Sequence, residues 1–201
     1  MGMESVYMKA IVSQLLPHYK NAEKGEQVIM EHCGISGACG LVPVSGLDLA
    51  VAASSNIVMF GRLNKVLGLS LRKDTSRVLG KLACSLIAGN LASLPIGLIA
   101  GVGGSLLKLI PGPGTALGAV LTAGAYAACT YVAGVVYLKA LAKTAQNGPV
   151  TEESLKVALQ EEFSDKEQFK KIFKDGKKSV KGMNFADFKA QAESVKAEAE
   201  Q

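Results

Sequence analysis

Two histidines and four cysteines are the side chains of this sequence best suited to nucleophilic or metal chemistry, and none stands in a pattern that such chemistry needs. Cys33 and Cys39, with five residues between them, stand beside His32, which lacks the spacing of a metal-ligand set. Cys84 and Cys129 fall in apolar stretches, where a thiol acts as a small hydrophobe. The absence of a Cys-x-x-Cys pair suits a reducing compartment. His18 follows Pro17 with no Ser, Cys or carboxylate pattern pointing to it, so it reads as a surface residue. The acid pairs Glu152/Glu153 and Glu161/Glu162 read as solvated helix faces. Asp175-Gly176 near Asp187 is faintly like a calcium loop, but Lys177, Lys178 and Lys181 interrupt it and the alternating acids are missing. No GxxxxGK[ST] phosphate loop is present. The expectation is a chain that is not an enzyme, with no catalytic, cofactor-binding or metal-ligating residue.

The charge pattern locates the elements instead. The net charge of +5 is unevenly spread. Residues 1–82 carry nine Lys/Arg and six Asp/Glu, and residues 139–201 carry twelve Lys and eleven acids. The 56 residues 83–138 between them hold Lys108 as their only Asp, Glu, Lys or Arg. With 49% apolar residues and 19% charged ones, the chain is too apolar for disorder. Its matched C-terminal Lys and acids do not form the one-sided basic face of a nucleic-acid binder.

Residues 83–138 read as two apolar helical arms, about 82–107 and 115–138, around a turn at Pro111-Gly112-Pro113-Gly114. Asn90 and Pro95 interrupt the first arm, and Gly97 and Gly101 open a small-xxx-small stripe along it. The second arm has 24 residues without a charge, enough to cross a hydrocarbon core needing about 20. Its small side chains include Gly118, Ala123, Ala127 and Gly134. Only seven of the 24 are Leu or Val while ten are Gly or Ala, so the arm is a weak span and a good packing surface.

Cations flank this hairpin. Arg72, Lys73, Arg77 and Lys81 precede it with Asp74 as the only nearby acid, and Lys139 and Lys143 follow it. Juxtamembrane cations meet anionic headgroups at about 1 kcal/mol each. Arg72, Lys73, Arg77, Lys81 and Lys139 are therefore the expected lipid contacts, and the positive-inside rule puts both termini on the cytoplasmic side.

The remaining chain also reads as helix. Residues 5–31 show helical spacing of Val6, Ile11, Leu15, Val28 and Ile29 and read as one amphipathic helix, or as two broken near Pro17. Residues 33–61 are apolar apart from Asp48, with a break at Pro43–Gly46. A helix follows from about Leu47 to Leu67, with Asp48 in its first turn and Gly68 at its end. An acid in an apolar segment also admits proton or ion handling as a less favoured role. Gln146-Asn147-Gly148-Pro149 is a linker signal. Beyond it Thr151 caps one helix, Ser164-Asp165-Lys166-Glu167 reads as a capping box for a second, and a last helix carries Phe185 and Phe188. No cleavable leader is expected at the N-terminus, and Val6 breaks the myristoylation pattern of Met1-Gly2.

Two short motifs carry a resemblance. Val42-Pro43-Val44-Ser45-Gly46-Leu47-Asp48, followed by Asn56, Met59, Arg62 and Gly68, resembles the Pro-x-x-Gly-x-Asp turn and following helix of the YcjF-like family, which usually has Gln in place of Asn56. Lys108-Leu109-Ile110-Pro111-Gly112-Pro113-Gly114-Thr115 with Gly118 resembles its Lys-x-x-Pro-x-x-Gly hairpin. The resemblance spans about residues 25–143 and implies an apolar, membrane-associated helical domain working beside a small GTPase, with no catalytic residues to carry over.

The sequence therefore predicts an all-α fold in which two apolar hairpins form a membrane-associated bundle over residues 1–145, with a charged C-terminal helical unit at 150–201. The expected function is non-enzymatic: membrane lipid as ligand, self-association or recruitment of a partner such as a GTPase, and no nucleic acid. The alternatives are a pore- or channel-forming protein with an insertable hairpin, and a soluble helical adaptor.

Overall fold

A computed structural model describes residues 6–41, 47–93 and 113–199, without the side chains of 6, 47–53, 73, 113–120 and 195–199. The described residues are helical throughout. The helices are α1 (Val6–Leu15), α2 (Ala22–Gly40), α3 (Leu47–Leu67), α4 (Lys73–Ala92), α5 (Pro113–Asn147), α6 (Glu152–Ser164), α7 (Lys166–Ser179) and α8 (Lys189–Ala199), with a 3₁₀ turn at Phe185–Phe188.

The bundle is built around α5. Its 35 residues extend about 52 Å at 1.5 Å per residue. Pro113 opens it at a position where the missing N–H costs nothing. It packs against α1, α2, α3, α6 and α7, and from Ala125 to Leu138 nearly every side chain is buried. The longest seam is with α2. Gly40 lies against Ala123, Ser36 bonds Thr130, Ile29 lies on Gly134 and Gly25 faces Leu138. One number falls as the other rises, so α2 and α5 run antiparallel over some four turns. Glycine sets their separation. A Cβ on Gly40 would stand 2.6 Å from the Ala123 backbone, and one on Gly134 would stand 2.5 Å from Ile29.

The other pairs follow by the same reasoning. His32–Ser55 and Glu31–Arg62 make α2 and α3 an antiparallel pair, so the first of the two expected hairpins has neighbouring arms. Asn56–Cys84, Asn64–Ser76 and Gly80–Ile57 run α4 antiparallel along α3. Gly68, at φ +72°, ends α3 with Leu69 N–H donating to the Asn64 carbonyl. The second expected hairpin differs. Described residues of α4 pack mainly on α3 and α6, and α5 mainly on α2, α6 and α7, with little contact between α4 and α5. The turn residues Pro111 and Gly112, and Gly97 and Gly101 of the first arm, lie outside the described residues, as do Pro43 and Gly46.

The C-terminal helices join the same core. Phe163, Phe169, Ile172 and Phe173 are buried with Tyr131, Val135 and Leu138 of α5. The Asn90 amide donates to the Phe163 carbonyl at 3.0 Å, and the Thr75 hydroxyl to Glu152 at 2.8 Å, which runs α4 parallel to α6. Tyr131 donates to Asp175 at 2.8 Å, where Gly176 leaves room for the ring. Thr151 caps α6 in a reciprocal pair with Ser154. The cap of α7 is Asp165, whose Oδ1 accepts from Gln168 N–H, one residue later than the expected Ser164. Ser164 turns back to the Glu161 carbonyl instead. Phe185 and Phe188 lie directly over Gly37 and Gly34 of α2, and α8 covers the second apolar cluster of Ile35, Ala38 and Cys39.

Candidate functional site

Helix α4 sorts its residues by the 3.6 period. Thr75, Leu79, Gly80, Ala83, Ile87 and Asn90 face inward, while Asp74, Arg77, Val78, Lys81, Ser85, Ala88, Gly89 and Ala92 are exposed. The outer stripe thus begins basic and ends in small apolar residues, next to the apolar sequence 94–107. Arg72, exposed and extended, is its N-cap residue, and Lys73 is its first helical residue. Cations at a helix N-terminus oppose the dipole by some 0.3–1 kcal/mol, so helix stability does not account for their place there. Among the described residues Arg77 and Lys81 make no ion pair.

Four of the five expected headgroup cations therefore gather in the first turns of one helix, while Lys139 does not join them. Its Nζ sits 2.7 Å from Glu162 and 2.6 Å from Gln168, tying α5 to α6 and α7. Ala123, Ala127 and Gly134 are buried, and Ala123 and Gly134 make the seam with α2. Gly114 and Gly118 belong to α5 and Asp48 to the first turn of α3, in stretches whose side chains are outside the described residues.

A polar seam between α2 and α3, buried at His32 and Ser55, half-buried at Glu31 and exposed at Arg62, is the second feature. Arg62 stands in the run that carries the family resemblance, but no motif joins it to Glu31, His32 or Ser55, because the partners lie 23 to 31 residues apart. His32 Nδ1 lies 3.0 Å from Ser55 Oγ, and its Nε2 lies 3.4 Å from Arg62 Nη1. Arg62 forks onto both Glu31 oxygens at 2.7 and 2.8 Å. The guanidinium is only a donor, so Nε2 is the acceptor and Nδ1 carries the proton, which it donates to Ser55. The imidazole is thus turned the wrong way to deprotonate Ser55, and this pair is not a nucleophile with its base. Burial, then the nearby Arg62 charge, pushes His32 down to about 4 against the opposing pull of Glu31. The Arg62 hydrogen bond holds Glu31 below its usual range.

The thiols are equally quiet. Cys33 is fully buried and burial pushes it up, away from thiolate chemistry. Burial also raises Cys84, against the lowering effect of the Asn56 amide at 3.5 Å. The Asn56 Oδ1 is buried and has no hydrogen-bond partner among the described residues. Among the described residues no three His, Cys, Asp or Glu side chains are grouped to hold a metal ion. His18 is exposed.

One segment of α5, Leu121–Asn147, is long and apolar enough to cross a membrane, and 83% of its apolar window is buried inside the bundle. Magnetosome membrane protein 22 of Magnetospirillum gryphiswaldense is 32% identical to this chain over 114 residues. The match covers 57% of this chain and 55% of that protein, so it spans about half the length of the curated relative. No protein-family model matches the chain. No solved structure matches it.

Proposed function

We propose that this chain is a membrane-associated helical protein without catalytic activity, which meets an anionic bilayer surface through the outer stripe of α4. The carrying observation is that stripe: Arg77 and Lys81 exposed and, among the described residues, without ion pairs, continued by Ala88, Gly89 and Ala92. Arg72 and Lys73 extend the positive end. The similarity to a protein named for the magnetosome membrane supports the same reading. The fine points of the reading are a bundle of apolar helix pairs, cytoplasmic termini, and assembly with further copies or with a partner GTPase at the bilayer.

Two cations at about 1 kcal/mol each set the expected effect, since 1.4 kcal/mol is a factor of ten. The full chain should float with phosphatidylglycerol vesicles and stay behind with phosphatidylcholine. The double substitution Arg77→Glu and Lys81→Glu should weaken flotation by about 30-fold or more, with unchanged circular dichroism. A wild-type chain that ignores anionic vesicles would instead support a soluble adaptor.

The burial of α5 favours surface binding with the core helix kept inside. Its length and apolarity favour insertion as a second reading, in which α5 leaves α6 and α7 and crosses the bilayer. Dye release from the same vesicles separates the two: surface binding leaves the dye inside, and a pore lets it out.

A further inference from the structure

The end of α7 and the turn after it form a roof over the N-terminal half of α5. Between them lies a cleft of about 410 Å³. Leu41, Leu121, Ala125, Val180 and Met183 supply apolar walls, and Gly124 forms part of the floor. Leu121 is 37% exposed here, an unusual state for a large apolar residue of the central helix. Among the described residues a Cβ added at Gly124 would meet nothing within 4 Å, in contrast to Gly34, Gly37, Gly40 and Gly134, each filled by a neighbour. The space over Gly124 is therefore open where the helix–helix glycines are not. The roof turns at Gly182, whose φ of +85° suits glycine. Lys177 and Lys181 stand exposed in the lining, and no carboxylate is among the described residues that line the cleft.

We propose that this cleft binds a single acyl chain with an anionic head, its hydrocarbon against Leu121, Gly124, Ala125 and Val180 and its charge beside Lys181. The volume falls in the roughly 300–1,000 Å³ range of small-molecule sites. A cleft at the lower end of that range has room for one hydrocarbon chain rather than two. A free long-chain fatty acid matches that volume and charge, and a two-chain phospholipid does not. This inference goes beyond the vesicle-binding reading, and each can fail alone.

The test is titration of the full chain with monomeric cis-parinaric acid, whose fluorescence rises in apolar surroundings. Saturable uptake of one molecule per chain is expected, with binding of its methyl ester at least tenfold weaker. Gly124→Leu should fill the cleft and reduce uptake at least tenfold. Because leucine favours helix over glycine and the added atoms enter open space, its thermal midpoint should be unchanged or higher. Lys181→Glu should reduce uptake about fivefold or more. The Arg77→Glu, Lys81→Glu chain should take up the probe normally, and Gly124→Leu should still float with phosphatidylglycerol vesicles. Non-saturating uptake, equal binding of the methyl ester, or normal uptake by a folded Gly124→Leu chain would each overturn the assignment. Loss of vesicle flotation in Gly124→Leu would also overturn it, by making a bilayer lipid the occupant.

Discussion

His32 couples the α2–α3 seam to pH, and the sign follows from its environment. Its pKa in the folded chain is about 4, below the ordinary value of 6.5. Above pH 6.5 the imidazole is neutral whether the chain is folded or not, and its titration leaves stability unchanged. As pH falls from 6.5 towards 4, the unfolded chain takes up a proton that the folded one refuses. Stability therefore drops, by up to about 3 kcal/mol once pH is below both values. Glu31 acts in the same direction at lower pH, since its folded pKa is depressed and its pairing with Arg62 is lost as the carboxylate is protonated. Urea denaturation at pH 7 and at pH 4.5 should show this loss, and His32→Gln should remove most of the part above pH 5. An equal slope in the variant would mean that other groups govern acid sensitivity. The cost is concentrated where α2 meets α3, so acid loosens that pair before it affects the α5–α7 contacts.

At the scale of the helices, the packing depends on which glycines are filled. Gly40 of α2 meets backbone of α5, which cannot rotate aside, whereas Gly89 on the outer face of α4 meets nothing. Gly40→Ala should therefore cost about 1–3 kcal/mol by forcing the helices apart. Gly89→Ala should raise stability by up to about 1 kcal/mol through helix propensity alone. Chemical denaturation of the two variants checks the contrast, and equal effects would contradict the seam. This distinction was the part of the fold least legible in sequence. Helix limits could be read locally: Pro17 separates α1 from α2, α3 opens at Leu47, Gly68 closes it, and Thr151 caps α6. Partner choice could not. Gly134 is matched to Ile29 and Gly176 to Tyr131 across large gaps in the chain, and nothing at either glycine names its partner. The charged composition of α6 and α7 similarly conceals Leu155, Leu159, Phe169 and Phe173, which wrap the core. Of the candidate surface, the Arg72–Lys81 cluster was legible as a local run of cations. The removal of Lys139 from it was not, because its partners Glu162 and Gln168 belong to two other helices.

At the scale of the whole molecule, one apolar helix is enclosed by helices with polar outer faces. Hydrogen exchange should find the amides of residues 123–142 among the slowest in the protein. Surface docking should leave them slow when phosphatidylglycerol vesicles are added and should slow exchange along α4. Insertion would instead speed exchange in α6 and α7 as they lose their support. The enclosure also has a consequence in time. The ribosome finishes Leu121–Asn147 after α1, α2 and α3 but before α6 and α7, and Ser179, the last residue of α7, lies 32 residues beyond Asn147. At about 5–20 residues per second, those residues take roughly 2 to 6 s to synthesise. For that interval the nascent chain holds an apolar segment of membrane-spanning length that lacks its α6 and α7 cover, within reach of the insertion machinery. Synonymous codons that slow translation between Gly148 and Ser179 would lengthen the interval, so the fraction of chains delivered to a bilayer would be set by elongation rate as well as by the finished amino-acid sequence.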